Sequence, residues 1–186
     1  AESICILREL KHYRKADDIL MLADKLGKKG DELDAQRLLA YPRRHEDPKK
    51  TKGIYTHLCT KSDVSDHIRR CLAEYAFHES DYPSVLRQLE GIGSMLLADH
   101  ILQWRTGIAG EQWGSVEQRI KDYLSRDETS PDAWYYLAKV HNASGDTGRA
   151  EAALLKALEN GFSEEDINEE DERIRRLFKS LVSTRQ

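Results

Sequence analysis

The side chains with metal-ligating chemistry gather between positions 57 and 71. His57 and Cys59 flank a leucine, and His67 and Cys71 stand four apart, a spacing that puts both on one face of a helix. Imidazole nitrogen and thiolate sulfur are what zinc takes, usually four at a time. A His-x-Cys pair is awkward on a helix, and free cysteine is among the most buried residue types. The adopted reading is no metal, with Cys59 and Cys71 as small core residues and His57 and His67 at the surface or boundary; these four remain the positions to check.

Other chemistry is sparse. Gly91-Ile92-Gly93 lacks the third glycine of a nucleotide fingerprint and sits between helical patterns, with no strand before it. No GxSxG or HExxH occurs, and Ser, Cys and His residues follow no triad order. The pairs Glu164-Glu165 and Glu169-Glu170 read as solvated caps rather than a catalytic dyad. Stripes of Trp, Tyr and Leu at helical spacing read as core. The expectation is a chain that is not an enzyme and carries no cofactor.

The elements that position these residues are helical. Across 186 residues, 39% are hydrophobic and 33% charged, too apolar for a disordered chain and too charged for a membrane span. Four prolines and 11 glycines leave little material for the dense turns of an all-β protein. The net charge of −4 runs against a dedicated nucleic-acid binder; Lys49, Lys50 and Lys52 form one small basic run in otherwise interleaved charge. Three cysteines with no regular framework suggest a reducing compartment. The chain opens on Ala1 without a signal peptide, which fits a piece cut from a longer protein.

Periodicity of three and four predicts helices at about 2–12, then around Ile19–Leu26, ended by Gly27 and Gly30, and around Leu33–Leu39, stopped by Pro42. Residues 42–52 read as a linker, after which Pro48 opens a short helix with Ile54, Tyr55, Leu58 and Cys59. Asp63 or Ser65 caps a helix with Ile68, Cys71, Leu72 and Tyr75. Pro83 starts the next, and others follow at about 94–106, from Ser115, from Ser130-Pro131-Asp132, and after Ser144-Gly145-Asp146. Asn160-Gly161 closes that last one. A final helix covers about 170–183, with Ile174, Leu177, Phe178 and Leu181 on one face.

Helices joined in pairs by short turns invite a repeat search. In 131–162, Trp134, Leu137, Ala138 and His141 line the first helix, Gly145-Asp146 makes the turn, and Ala150 and Ala157 flank Leu154 on the second. Small side chains where two helices cross let the backbones approach, with large ones as knobs beside them. This unit resembles a tetratricopeptide repeat, departing from it at His141 and Phe162. A second match at 66–99 uses Leu72, Ala73, Ala76, Ser80-Asp81-Tyr82, Val85, Leu89 and Ile92. A third, weaker, uses Leu22, Ala23, Leu26, Gly30, Ala35 and Leu39. Residues 97–130 are a degenerate repeat, with Trp113 where Tyr82 sits one repeat earlier. Leu72 and Leu137 lie 65 positions apart, close to two repeats of about 34 residues. Leu22 and Leu72 lie 50 apart, so the array is interrupted at 42–60. The segment 161–181 looks like the acidic stretch and closing helix that end such arrays, with Glu169, Glu170 and Asp171 at the helix's positive N-terminus.

The resemblance implies an all-α fold, an α-α superhelix of antiparallel hairpins, irregular in its N-terminal third. As one domain it divides into 1–41 with N-terminal helices, 42–62 as interruption with a short helix, 63–162 as repeats and 163–186 as capping helix, bent near 42–52. It also implies a concave face that binds a protein or peptide. The groove positions it projects are His67, Arg70, Glu74 and Phe77, then Ile101 and Arg105, then Asp132, Tyr135, Lys139 and Asn142. Of these, Arg70, Glu74, Phe77, Arg105, Tyr135, Lys139 and Asn142 form the candidate peptide site, with the cations facing acidic groups. The expected setting is a cytoplasmic, bacterial protein-interaction scaffold without nucleic acid or membrane insertion. The alternatives are a periplasmic module of an envelope or polysaccharide-export machine and the regulatory arm of a larger enzyme.

Overall fold

The structure, a computed structural model, describes residues 12–44, 47–167 and 172–183. Among these residues every regular element is helical. The α-helices are α1 (Tyr13–Lys25), α2 (Asp31–Arg44), α3 (Pro48–Cys59), α4 (Asp66–His78), α5 (Tyr82–Glu90), α6 (Leu97–Ala109), α7 (Trp113–Leu124), α8 (Pro131–Ala143), α9 (Thr147–Glu159) and α10 (Glu172–Ser183), with one 3₁₀ turn at Glu164–Asp166. The helix expected at 2–12 and the acids Glu169, Glu170 and Asp171 lie outside the described residues. By its contacts the chain divides into two compact units, 1–99 and 100–186. The segment 42–52 lies inside the first.

Side-chain caps start five of the helices. Asp47, Ser65, Asp81, Ser130 and Asp146 each accept a backbone N–H of the first turn that the helix itself leaves unbonded. Of the two caps proposed for α4, Ser65 is the one used, accepting from Ile68 at 3.3 Å. Pro48, Pro83 and Pro131 sit at the first or second helical position, where a missing donor costs nothing. Pro42 is a different case. It was expected to end the third helix, yet α2 runs on to Arg44. A proline in the last turn forfeits only the one bond its own N–H would make, so two more residues can follow before the helix stops.

One turn recurs. At Ser80-Asp81, Glu111-Gln112 and Gly145-Asp146 the first residue is left-handed, with φ of 59°, 56° and 82°. In each, the second residue's N–H reaches back five positions, to the carbonyls of Ala76, Gly107 and His141 at 2.9, 2.8 and 2.9 Å. The first residue's N–H bonds three back, to Phe77, Ile108 and Asn142. This double closure satisfies carbonyls at the helix end and turns the chain straight into the next helix. Gly27 and Gly161 close α1 and α9 with the same pair of bonds.

In the first unit, α4 packs along α5 and α2. Ala35 and Leu38 of α2, Leu58 of α3, and Ile68, Cys71, Leu72 and Tyr75 of α4 share one core. Helix α1 is held by less: Ala16 and Leu20 against Ala40 and Leu33. In the second unit α8 packs along α9, and Ala133, Leu137, Ala138, Ala150, Ala153, Leu154 and Ala157 are all buried. Beside α8, Trp104 of α6 is fully buried among Tyr123 and Tyr136. Gly107 of α6 faces Val116 of α7 so closely that a Cβ there would stand 2.3 Å from Cγ2. Helix α10 packs on α9 and α8 through the buried Ile174 and Phe178.

Candidate functional site

The histidine–cysteine group separates. His57 and Cys59 are exposed on α3. Cys59 was expected in the core; instead its sulfur accepts from Gln88 Nε2 at 3.7 Å on the rim between α3 and α5. Local desolvation pushes the Cys59 thiol up, against a weaker opposing hydrogen bond with Tyr55, which is the reverse of what a thiolate nucleophile needs. Burial likewise pushes the Tyr55 phenol up to about 12. Cys71 is buried and lies 3.6 Å from His67 Nε2, and Gln36 Nε2 sits 2.8 Å from the same ring nitrogen. Among the described residues no three His, Cys, Asp or Glu side chains gather as a metal ion would require.

The seven residues of the candidate peptide site take definite places. In the first unit, Arg70 donates from Nε to both oxygens of the buried Asp99, at 2.9 and 3.0 Å, and from Nη2 to the Ser94 carbonyl at 2.8 Å. Asp99 also accepts the Leu96 N–H, and Asp66 accepts those of Gly93 and Ser94. Those two amide bonds, with Arg69 and Arg70 nearby, hold the Asp66 carboxyl below its usual range, led by the Gly93 contact. Arg70 is thus a fastener of the chain between α5 and α6. Glu74 is half-buried on the same helix, and Phe77 is half-buried with its ring 6.1 Å from Tyr82.

In the second unit, Tyr135 is buried, its ring stacked on Phe162 at 4.5 Å. Projection from the repeat pattern missed this because the pattern marks Trp134, its neighbour, as the packing aromatic. Trp134 is only half-buried, its indole bonded to the Glu128 carbonyl at 2.7 Å. Lys139 stands over the rings of Tyr135 and Tyr136, 5.7 and 5.4 Å from their centroids, a cation–π arrangement. Arg105 is half-buried on α6.

Lys139 and Asn142 meet at an open cleft of about 400 Å³. Its walls are Ile108 of α6, Lys139, Asn142 and Ala143 of α8, and Glu172, Arg173 and Ile174 of α10. Two cations against one acid, Glu172, with an amide and aliphatic walls, make a surface able to hold a carboxylate beside an apolar side chain. The contribution of α10 had no signal in the sequence, because repeat arithmetic places a closing helix without saying what it faces.

No family model and no curated protein matches the chain. Among solved structures it is similar to MamA MSR-1 C2, with a TM-score of 0.62 and 12% sequence identity over 86% of this chain and 92% of that one. At that identity the likeness speaks for the fold alone, which is a helical repeat.

Proposed function

We propose that this chain is a protein-interaction scaffold of tetratricopeptide type, and that a partner segment seats on the first helix of the last hairpin, at Lys139 and Asn142 of α8. The cleft between α6, α8 and α10 carries the proposal, because it joins a lysine held over two aromatic rings, an amide and aliphatic walls in one open place. The turn repeated at Ser80, Glu111 and Gly145 supports the family reading. Tyr135 acts from behind, as the buried plate under Lys139, while Arg70 fastens structure rather than ligand. Cys59 and Cys71, which form no disulfide among the described residues, suit a reducing, cytoplasmic setting.

A photo-crosslinking residue at Asn142 tests this against one at the exposed Lys156 of α9. The expected result is a discrete adduct from position 142 in cell extract, lost in Lys139→Glu at unchanged melting temperature. Adducts from Lys156 alone, or adducts at 142 indifferent to Lys139→Glu, would overturn the assignment.

A further inference from the structure

A second cleft, of about 450 Å³, opens in the first unit where the α1–α2 turn meets α2 and α3. It is lined by Asp24, Gly27, Lys28, Lys29, Asp34, Arg37, Lys50 and Ile54. The two acids are already committed. Arg37, nearly buried, bonds Asp24 at 2.6 and 2.9 Å and also bonds Asp34 and the Lys28 carbonyl. Lys28, Lys29 and Lys50 are exposed and enter no ion pair among the described residues. Among the described residues the cleft therefore presents an excess of positive charge on a chain whose net charge is −4.

Next to it the described residues expose an apolar surface. Ile19 and Leu22 of α1 and Leu26 at its C-cap, exposed by 38, 56 and 64%, recur at three and four and so continue one stripe. Leu26 directly precedes Gly27 of the cleft lining. The inner stripe of α1, Ala16 and Leu20, is the one packed on the fold.

We infer that this cleft and the outer stripe of α1 together bind an acidic peptide segment of a protein partner, its carboxylates on Lys28, Lys29 and Lys50 and its aliphatic side chains on Leu22 and Leu26. Charge complementarity selects an anionic occupant. The adjoining leucines select a chain carrying apolar groups over a small inorganic anion. None of the described lining residues is aromatic, so among them there is no stacking platform of the kind that holds single-stranded nucleic acid. The inference rests on the scaffold reading but uses a different unit and different residues.

The test is fluorescence anisotropy of the whole chain with a labelled peptide of mixed glutamate and leucine. Binding should weaken with added salt, and fall roughly tenfold or more in Lys28→Glu/Lys29→Glu/Lys50→Glu, the loss expected when like charge replaces opposite charge. Lys28→Gln/Lys29→Gln/Lys50→Gln, checked for an unchanged circular dichroism melt, should show a smaller loss. Leu22→Ser/Leu26→Ser should also weaken binding, and the glutamine version of the peptide should bind poorly. Equal binding of the glutamine peptide, indifference to all three variants, or tighter binding of an RNA oligonucleotide that displaces the peptide would each overturn the inference. A loss in Lys139→Glu as large as that in the lysine reversal would place the peptide on α8 and overturn the inference. A failure here with intact crosslinking at Asn142 would sink the basic cleft and leave the scaffold reading standing.

Discussion

His141 occupies the position at which the repeat pattern usually carries an aromatic ring, and it is buried. Desolvation pulls its pKa below the ordinary 6.5; Glu117 and Asp146 raise it, and Arg149 and Lys121 lower it further. Glu117 is itself held down by its hydrogen bond with Lys121, so it stays ionised where the histidine titrates. A group with a depressed folded pKa binds its proton more readily in the unfolded chain. Its neutral form therefore contributes stability above about pH 6.5, and that contribution is lost as pH falls through the folded value. The melting temperature should drop between roughly pH 7 and pH 5, and His141→Gln should flatten that slope. An equal slope in both proteins would show that the ring carries no desolvation penalty. At this scale the sequence was a partial guide. The four-residue spacing of His67 and Cys71 does bring them together, but the sequence has no term for Gln36, which reaches their pair from α2. Nor could spacing tell that Arg70 would find a buried Asp99 twenty-nine positions on.

The helices of this chain are set by their turns, and one turn holds a testable contradiction. Glu111 takes the left-handed conformation that Gly145 takes without strain. For a residue with a Cβ that conformation costs about 1–2 kcal/mol. Replacing it with glycine removes the strain and adds some unfolded-state freedom, so Glu111→Gly should stabilise by roughly 0.5–1 kcal/mol. Four positions earlier the sign reverses. A Cβ at Gly107 would meet Val116 Cγ2 at 2.3 Å, and valine's branched side chain cannot swing clear. Gly107→Ala should cost about 1–3 kcal/mol, with much of it recovered when Val116→Ala is added. Urea titrations with unchanged slope measure both; a neutral Gly107→Ala would mean the crossing of α6 and α7 is looser than described. This also explains why 97–130 looks degenerate. Its crossing glycine and its non-glycine turn invert the residue types by which the hairpin at 131–162 is recognised. Elsewhere helix starts were legible, because serine, aspartate and proline act through the local backbone. The helix end at Pro42 was not, because a stop signal in a last turn acts too late to matter.

Across the molecule stability is distributed unevenly, and the distribution bears on binding. Helix α8 buries seven residues, Ala133 through His141, and α9 buries four alanines and leucines against it. Helix α1 buries Ala16 and Leu20, and leaves Ile19, Met21 and Leu22 exposed, with Leu26 exposed at its C-cap. Apolar burial contributes about 25 cal/mol per Å², and local opening free energies follow it from near zero up to the global value. Amide hydrogens of α1 should therefore exchange with opening free energies lower by a few kcal/mol than those of α8 and α9. Native-state exchange at several denaturant concentrations measures this directly, and α1 amides as protected as those of α8 would refute it. The same gradient gives the basic cleft a readout independent of affinity. A ligand that binds only the folded α1 lowers its opening by RT ln(1 + [L]/Kd), about 2.7 kcal/mol at a hundredfold excess over Kd. The glutamate–leucine peptide should thus slow exchange in α1 and at the turn through Lys28 and Lys29, leave α8 and α9 unchanged, and do neither once the three lysines are reversed. Protection appearing in α8 instead would relocate the peptide to the cleft at Lys139, since that surface and α1 lie in different units of the chain.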